Sequence, residues 1–211
     1  MGDRRNDVAT LLDGLFAKLS VSPHAQRGLR ARLNGAGRFY HNRDHVALLW
    51  ARHLAHGGGA AEAEIAHAIA YHDAIYVPGR LDNETLSAAL WLQDSRLCPP
   101  LLRRQVATMI LATRDHLRYA GGDARVQWLL DLDLSTLGDP PHVYARYTAA
   151  LRREYAALST EAWRAGRRRF LRDMLAAPAL FRCPLRGFAL RRSYEASARR
   201  NMQTELAGLG G

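Results

Sequence analysis

Three histidines and an aspartate stand out in the first third of the chain. His41 and His45 lie in RFYHNRDHVALLW, which starts at Arg38, and His72-Asp73 closes the apolar run AEIAHAIAYHD, which starts at Ala63. The spacing of His41 and His45 puts two imidazoles on one face if the segment is helical. His72 and Asp73 fall where a helix runs out into a loop, so their side chains can reach a shared cleft. Imidazole and carboxylate donors gathered in this way suit a divalent cation such as Mn, Fe, Zn, Mg, Co or Ni, one ion or two. Two histidines and two aspartates leave coordination positions for water and substrate, and a cation so held acidifies water near neutral pH. A further ligand must come from elsewhere. Asp131 and Asp133 in LLDLDLSTLG are both candidates, because a carboxylate inside so apolar a run is costly unless it is paired or metal-bound.

The elements that must position these groups read as helices throughout. Val8, Leu11, Leu12, Leu15, Phe16 and Leu19 recur at helical spacing over residues 6–19. Ser22 caps a second helix with Pro23 in its first turn and Leu29 and Leu33 on its apolar face. A third helix is expected from His41 to about His56, ended by Gly57-Gly58-Gly59. The alanine-rich stretch from Ala60 to Asp73 follows as a central helix, able to pack closely. Asp82, Asn83 and Glu84 should cap and charge the start of another helix, with Leu86, Ala89, Leu90 and Leu92 as its apolar stripe. Val106, Met109, Ile110 and Thr113 lead to His116, and residues 123–134 form the next helix. Pro140-Pro141 introduces a long one, Thr160 caps the one after, and the tail from Leu185 to Leu206 is basic and amphipathic. No stretch alternates with period two over a useful length, and glycine and proline pairs separate the segments. The fold is expected to be all-α.

At 211 residues the chain is sized for one domain, 1–211. Hydrophobic residues make up 48% and charged residues 24%, which is globular rather than disordered composition. The formal net charge of +10 is carried almost wholly by arginine, Lys18 being the single lysine. Such a field attracts phosphates, nucleic acid or an acidic surface, although a genome that writes Arg in place of Lys accounts for it too. Cys98 and Cys183 show no C-x-x-C spacing, which argues against a disulfide framework or zinc knuckle. The N-terminus lacks the apolar core of a signal peptide and no long apolar run follows. A cytoplasmic protein without a membrane segment is expected, and homo-oligomerisation is left open. The arginine clusters at Arg167 to Arg169, Arg191-Arg192 and Arg199-Arg200 read as solvated helix faces.

Six segments taken together resemble the HD-domain superfamily of metal-dependent phosphohydrolases, whose motif is a His, then His-Asp, then a distant Asp. They are YHNRDH at 40–45, YHDAIY at 71–76, DNETLSAA at 82–89, ILATRDH at 110–116, LDLDLSTLG at 130–138 and YTAALRREY at 147–155. The likeness is nearest to small bacterial proteins described as predicted HD-domain phosphohydrolases, covers roughly 38–155, and implies an α-helical bundle with this core. The first segment is also similar to cyclic nucleotide phosphodiesterases, in which Tyr-His-Asn-x-x-His supplies a proton-donating histidine and then a metal ligand. On that likeness His41 is the general acid, and His45, His72, Asp73 and Asp133 are the metal ligands. Asp133 is preferred to Asp131 because Leu134-Ser135 follows it, and Asp131 would then orient a ligand histidine. The chain lacks the length and the recognisable base pocket of the phosphodiesterases, so their substrate does not carry over.

The resemblance implies hydrolysis of a small phosphate ester or anhydride, nucleotide-like, with Glu84 helping to activate water. Helix-start electrostatics explains Glu84 equally well. His116 is a candidate for a second cation or a phosphate oxygen, or else a satisfied helix-end histidine. Arg152 and Tyr155 are candidate phosphate contacts, a forked donor and a hydroxyl, with surface charge the plainer account of Arg152. His53, His56 and His67 read as packed or solvated, and Trp50, Trp91, Trp128 and Trp163 as core. Two other classes compete: a nucleotide or nucleic-acid binding module with a non-catalytic metal site, and oxygen chemistry at a mixed iron pair.

Overall fold

The computed structural model describes residues 3–57, 62–184 and 187–210. Among these there are ten α-helices and no strands, and the chain is 71% helical, so the fold is all-α. Contacts cluster into two compact units, Met1–His116 and Leu117–Gly211. Gly58-Gly59, Ala60-Ala61 and Leu185, which the sequence assigned to helix ends, lie outside the described residues. No helix among those described is long and apolar enough to cross a membrane.

The first unit holds α1 (Asp3–Ala17), α2 (Pro23–Leu33), α3 (Arg43–His56), α4 (Glu62–Tyr71), α5 (Asn83–Asp94) and α6 (Pro100–Ala112), then a 3-10 turn at Thr113–Asp115. Ser22 caps α2 as expected, its hydroxyl accepting from the Ala25 N–H. α4 is the centre of this unit: every residue from Ile65 to Tyr71 is buried, and α1, α3, α5 and α6 all pack on it. Its alanines at 66, 68 and 70 let these neighbours approach closely. Tyr71 and His67 both pack on Trp91 of α5, at 5.3 and 4.8 Å between ring centroids.

Three expectations in this unit need correction. α3 begins at Arg43, because Asn42 caps it by accepting from the Asp44 and His45 N–H groups. His41 therefore precedes the helix instead of sharing a face with His45. Asp82 occupies the cap position of α5 but makes no capping bond; Arg80 takes both its carboxylate oxygens at 2.8 Å. The buried stripe of α5 is Asn83, Ser87, Ala88 and Trp91, while Ala89 and Leu92 face outward. That rotation follows from polar anchoring, since Asn83 and Ser87 bond the preceding loop and Trp91 donates to the Arg103 carbonyl at 2.9 Å.

The second unit comprises α7 (Ala124–Leu134), a 3-10 turn at Ser135–Gly138, α8 (Pro141–Glu154), α9 (Thr160–Ala176) and α10 (Gly187–Gly208). α10 crosses the 3-10 turn so closely that a Cβ on Gly138 would stand 2.5 Å from Cβ of Tyr194. Asn201 of α10 clamps the same turn, donating to the Leu137 and Asp139 carbonyls at 2.9 and 2.8 Å. Ser159, not Thr160, caps α9, accepting from the Ala162 N–H. The arginine clusters are not uniformly solvated: Arg167 is buried against Glu205 at 2.8 Å, and Arg199 pairs with Glu195 and holds the Leu175 and Ala177 carbonyls.

Candidate metal centre

His45 and His72 reach the centre from two helices of the first unit. His45 sits in the first turn of α3, 5% exposed, fixed by the Asn42 cap. His72 follows the last residue of α4, yet its N–H still donates to the Ala68 carbonyl at 2.9 Å, so it continues the helical turn. Its ring Nδ1 stands 2.9 Å from the Ile69 carbonyl. A carbonyl can only accept, so Nδ1 carries the proton of the neutral ring and Nε2 presents its lone pair. A backbone partner on the far nitrogen is what aims a metal-binding histidine.

Asp73 meets both histidines. Its Oδ2 lies 3.0 Å from Nε2 of His72 and 3.9 Å from Nε2 of His45. Ring nitrogens of His45 and His72 lie within 4.8 Å of one another. Two donors each about 2.1 Å from one cation stand roughly 3.0–4.2 Å apart, depending on their angle, so both carboxylate distances fit a shared ion. The carbonyl end of α4 adds partial negative charge beside the same point.

The chain around these donors is braced by one guanidinium. Arg38 donates to the carbonyls of His41, Asp73 and Ala74 at 2.9, 2.6 and 3.0 Å. It thereby joins the segment entering α3 to the segment leaving α4. The loop after Asp73 is held from the other side by α5. Asn83 accepts from the Val77 N–H and donates to the Val77 carbonyl, both at 3.0 Å, while Ser87 bonds the N–H and carbonyl of Ile75. Sequence reading missed Arg38, Asn83 and Ser87 as site-builders. The polar pair four residues apart inside NETLSAALWL was the available signal for the last two. For Arg38 there was none, because its acceptors are backbone carbonyls.

His41 is half-buried and stacks on Tyr76, with ring centroids 3.9 Å apart, and meets Tyr40 edge-on at 4.7 Å. Its ring lies 6.1 Å from that of His45. His41, His45, His72 and Asp73 are thus brought together. Glu84 is half-buried in the first turn of α5, and His116 is half-buried at the end of the 3-10 turn that closes the unit. His53 packs on Trp50 and His67 on Trp91, while His56 is exposed, in keeping with their structural reading. His67 is fixed as a neutral ring, donating to the Ala63 carbonyl and accepting from the Ser20 N–H. Burial holds its pKa below the usual histidine range.

The remaining candidates lie in the second unit. Asp133 is half-buried in the last turn of α7. Asp131 is fully buried and does not orient a histidine: it accepts the N–H groups of Arg182 and Cys183 at 2.9 and 2.8 Å and the Gln127 amide at 3.1 Å. Burial pushes its carboxyl up, against those donors. Arg152 spends its fork on the Tyr155 and Leu158 carbonyls past the end of α8, and Tyr155 packs on Trp163 at 5.5 Å. Trp163 is half-buried rather than core, unlike the other three tryptophans. Compared with protein-family models, with curated proteins and with solved structures, the chain matches none.

Proposed function

We propose that this is a cytoplasmic metal-dependent phosphohydrolase that acts on a small phosphate ester or anhydride, nucleotide-like. The observation that supports it most is the approach of Asp73 Oδ2 to the lone-pair nitrogen of His72 at 3.0 Å, with His45 Nε2 3.9 Å from the same oxygen. Two acceptors facing one another repel unless a cation or a proton stands between them, and the buried histidine pair supplies imidazole nitrogens, which suit Zn, Fe or Ni. In this reading His45, His72 and Asp73 hold the ion, and Asp133 is a fourth ligand on the strength of the resemblance. When bound, such an ion neutralises phosphoryl charge and acidifies water. His41, held by its stack on Tyr76, carries the proton to the leaving oxygen, and Glu84 is the alternative proton carrier.

The test is metal analysis of the purified protein followed by a phosphate-release screen over nucleotides and cyclic nucleotides. Replacing His72 or Asp73 with alanine should remove metal and hydrolysis together, and full hydrolysis by either variant refutes the assignment. Asp133→Ala separately tests the fourth ligand through metal stoichiometry. The exposed arginines Arg164, Arg169 and Arg172 of α9 favour a second reading, a nucleotide or nucleic-acid binder with a silent metal site. Binding to RNA or DNA that weakens steeply with salt, without phosphate release under any cation, would support that one instead.

A further inference from the structure

The second unit contains a cavity of about 700 Å³, partly open to solvent, between α8, α9 and α10. Protein interiors pack to crystal-like density, so a space this large normally closes unless its walls are held apart. Here they are braced independently of any occupant. Tyr144 forms one wall; its hydroxyl donates to Glu205, which is itself gripped by Arg167 through two bonds of 2.8 and 3.0 Å. Trp163 also lines the cavity, in contact with Tyr155 and with the guanidinium of Arg152, which lies 5.7 Å from its ring centre. Asn201, another lining residue, is fixed by its two bonds to the Leu137 and Asp139 carbonyls.

The lining is mainly apolar, with Pro140, Pro141, Ala145 and Ala149 completing the aromatic walls. Its charge is not balanced. Glu205 is already neutralised by Arg167, so Arg152 and Arg200 stand against Asp139 alone. Arg200 is exposed at the rim, with one guanidinium nitrogen on Ser197 Oγ at 3.0 Å. A preformed cavity in the usual ligand size range, with a mostly apolar lining surface and an exposed guanidinium among its polar groups, is the geometry of a small-molecule site. We propose that this cavity binds an organic acid with an apolar, ring-bearing body, the body lying between Tyr144 and Trp163 and the carboxylate meeting Arg200. The proposal is independent of the metal centre, since every lining residue belongs to the second unit.

Tryptophan emission reports occupancy, since Trp163 lines the cavity and any pyrene bound there accepts energy from the indoles around it. The full-length protein is titrated with 1-pyrenebutyrate, and with 1-pyrenebutanol as the uncharged control, following quenching of tryptophan emission with and without EDTA. The acid should quench saturably with one site per chain, at least tenfold more tightly than the alcohol and equally in EDTA. Arg200→Glu should weaken the acid at least tenfold and leave the alcohol unchanged. The paired substitution Ala145→Phe, Ala149→Phe, at two exposed positions on α8, should abolish binding of both while circular dichroism stays that of the parent. Absence of saturable binding by the acid, equal affinity for acid and alcohol, or undiminished binding in the phenylalanine pair would each overturn the proposal.

Discussion

Nε2 of His72 faces Oδ2 of Asp73 across 3.0 Å while Nδ1 of the same ring is held by the Ile69 carbonyl. Neighbours in sequence are thereby turned onto one point, and in the neutral ring the proton lies on the Ile69 side. A cation held there, as proposed, would bind the folded state only. Added Mn²⁺ or Zn²⁺ at about 100 times its dissociation constant should therefore stabilise the protein by about 2.7 kcal/mol. Thermal denaturation should show a rise of several degrees that EDTA reverses and His72→Ala lacks.

Arg38 links the segment entering α3 to the segment leaving α4 through three backbone carbonyls. Arg38→Gln cannot span all three, so His41 and Asp73 lose their common tether while the helices keep their own cores. Metal affinity should fall by about 10–100-fold, the range for supports that orient ligands, with helical content unchanged by circular dichroism. Arg38→Lys should recover only part of the affinity, since an ammonium lacks the planar fork. Unchanged metal affinity in the glutamine variant would remove Arg38 from the site.

These two cases divide what the sequence reveals from what it hides. That His45, His72 and Asp73 meet was legible from residue type, imidazoles and a carboxylate at the ends of neighbouring segments, whereas the helical spacing of His41 and His45 was not realised, since α3 begins at Arg43. The all-α class was legible from periodicity, as was the Ser22–Pro23 start of α2. The turn of α5 was not, because the pattern of leucines in NETLSAALWL points one way and the loop-binding Asn83 and Ser87 pull another. Asp131 was misread for a related reason. A buried carboxylate demands partners, but nothing in its own segment says that they are the N–H groups of Arg182 and Cys183, fifty residues on.

His67 makes the first unit sensitive to mild acid. Its folded-state pKa lies below the ordinary value of 6.5, chiefly through burial. Below that pH the unfolded chain takes up a proton that the folded ring refuses, so the contribution is intact above about pH 6.5 and declines as pH falls toward the folded pKa. Denaturant midpoints measured from pH 8 to pH 5 should decrease. His67→Phe should flatten that part of the profile. It should also cost about 1–3 kcal/mol at pH 8, because the Ser20 N–H loses its acceptor. A profile of unchanged slope in this variant would show that another group controls it.

Arg167 and Glu205 bind α9 to α10 in a largely buried pair, with side chains 8% and 12% exposed and Tyr144 bonded to both. Removing one partner strands the other charge away from water, so Arg167→Met alone should destabilise by about 3–5 kcal/mol. Removing both partners takes away the desolvation of two ions along with their attraction. Arg167→Met with Glu205→Leu should then lie much nearer the parent, and the coupling from the double-mutant cycle should be at least about 1 kcal/mol. Urea denaturation followed by circular dichroism measures all four proteins. Strictly additive effects would mean that the two side chains act separately, against the contact of 2.8 Å between them.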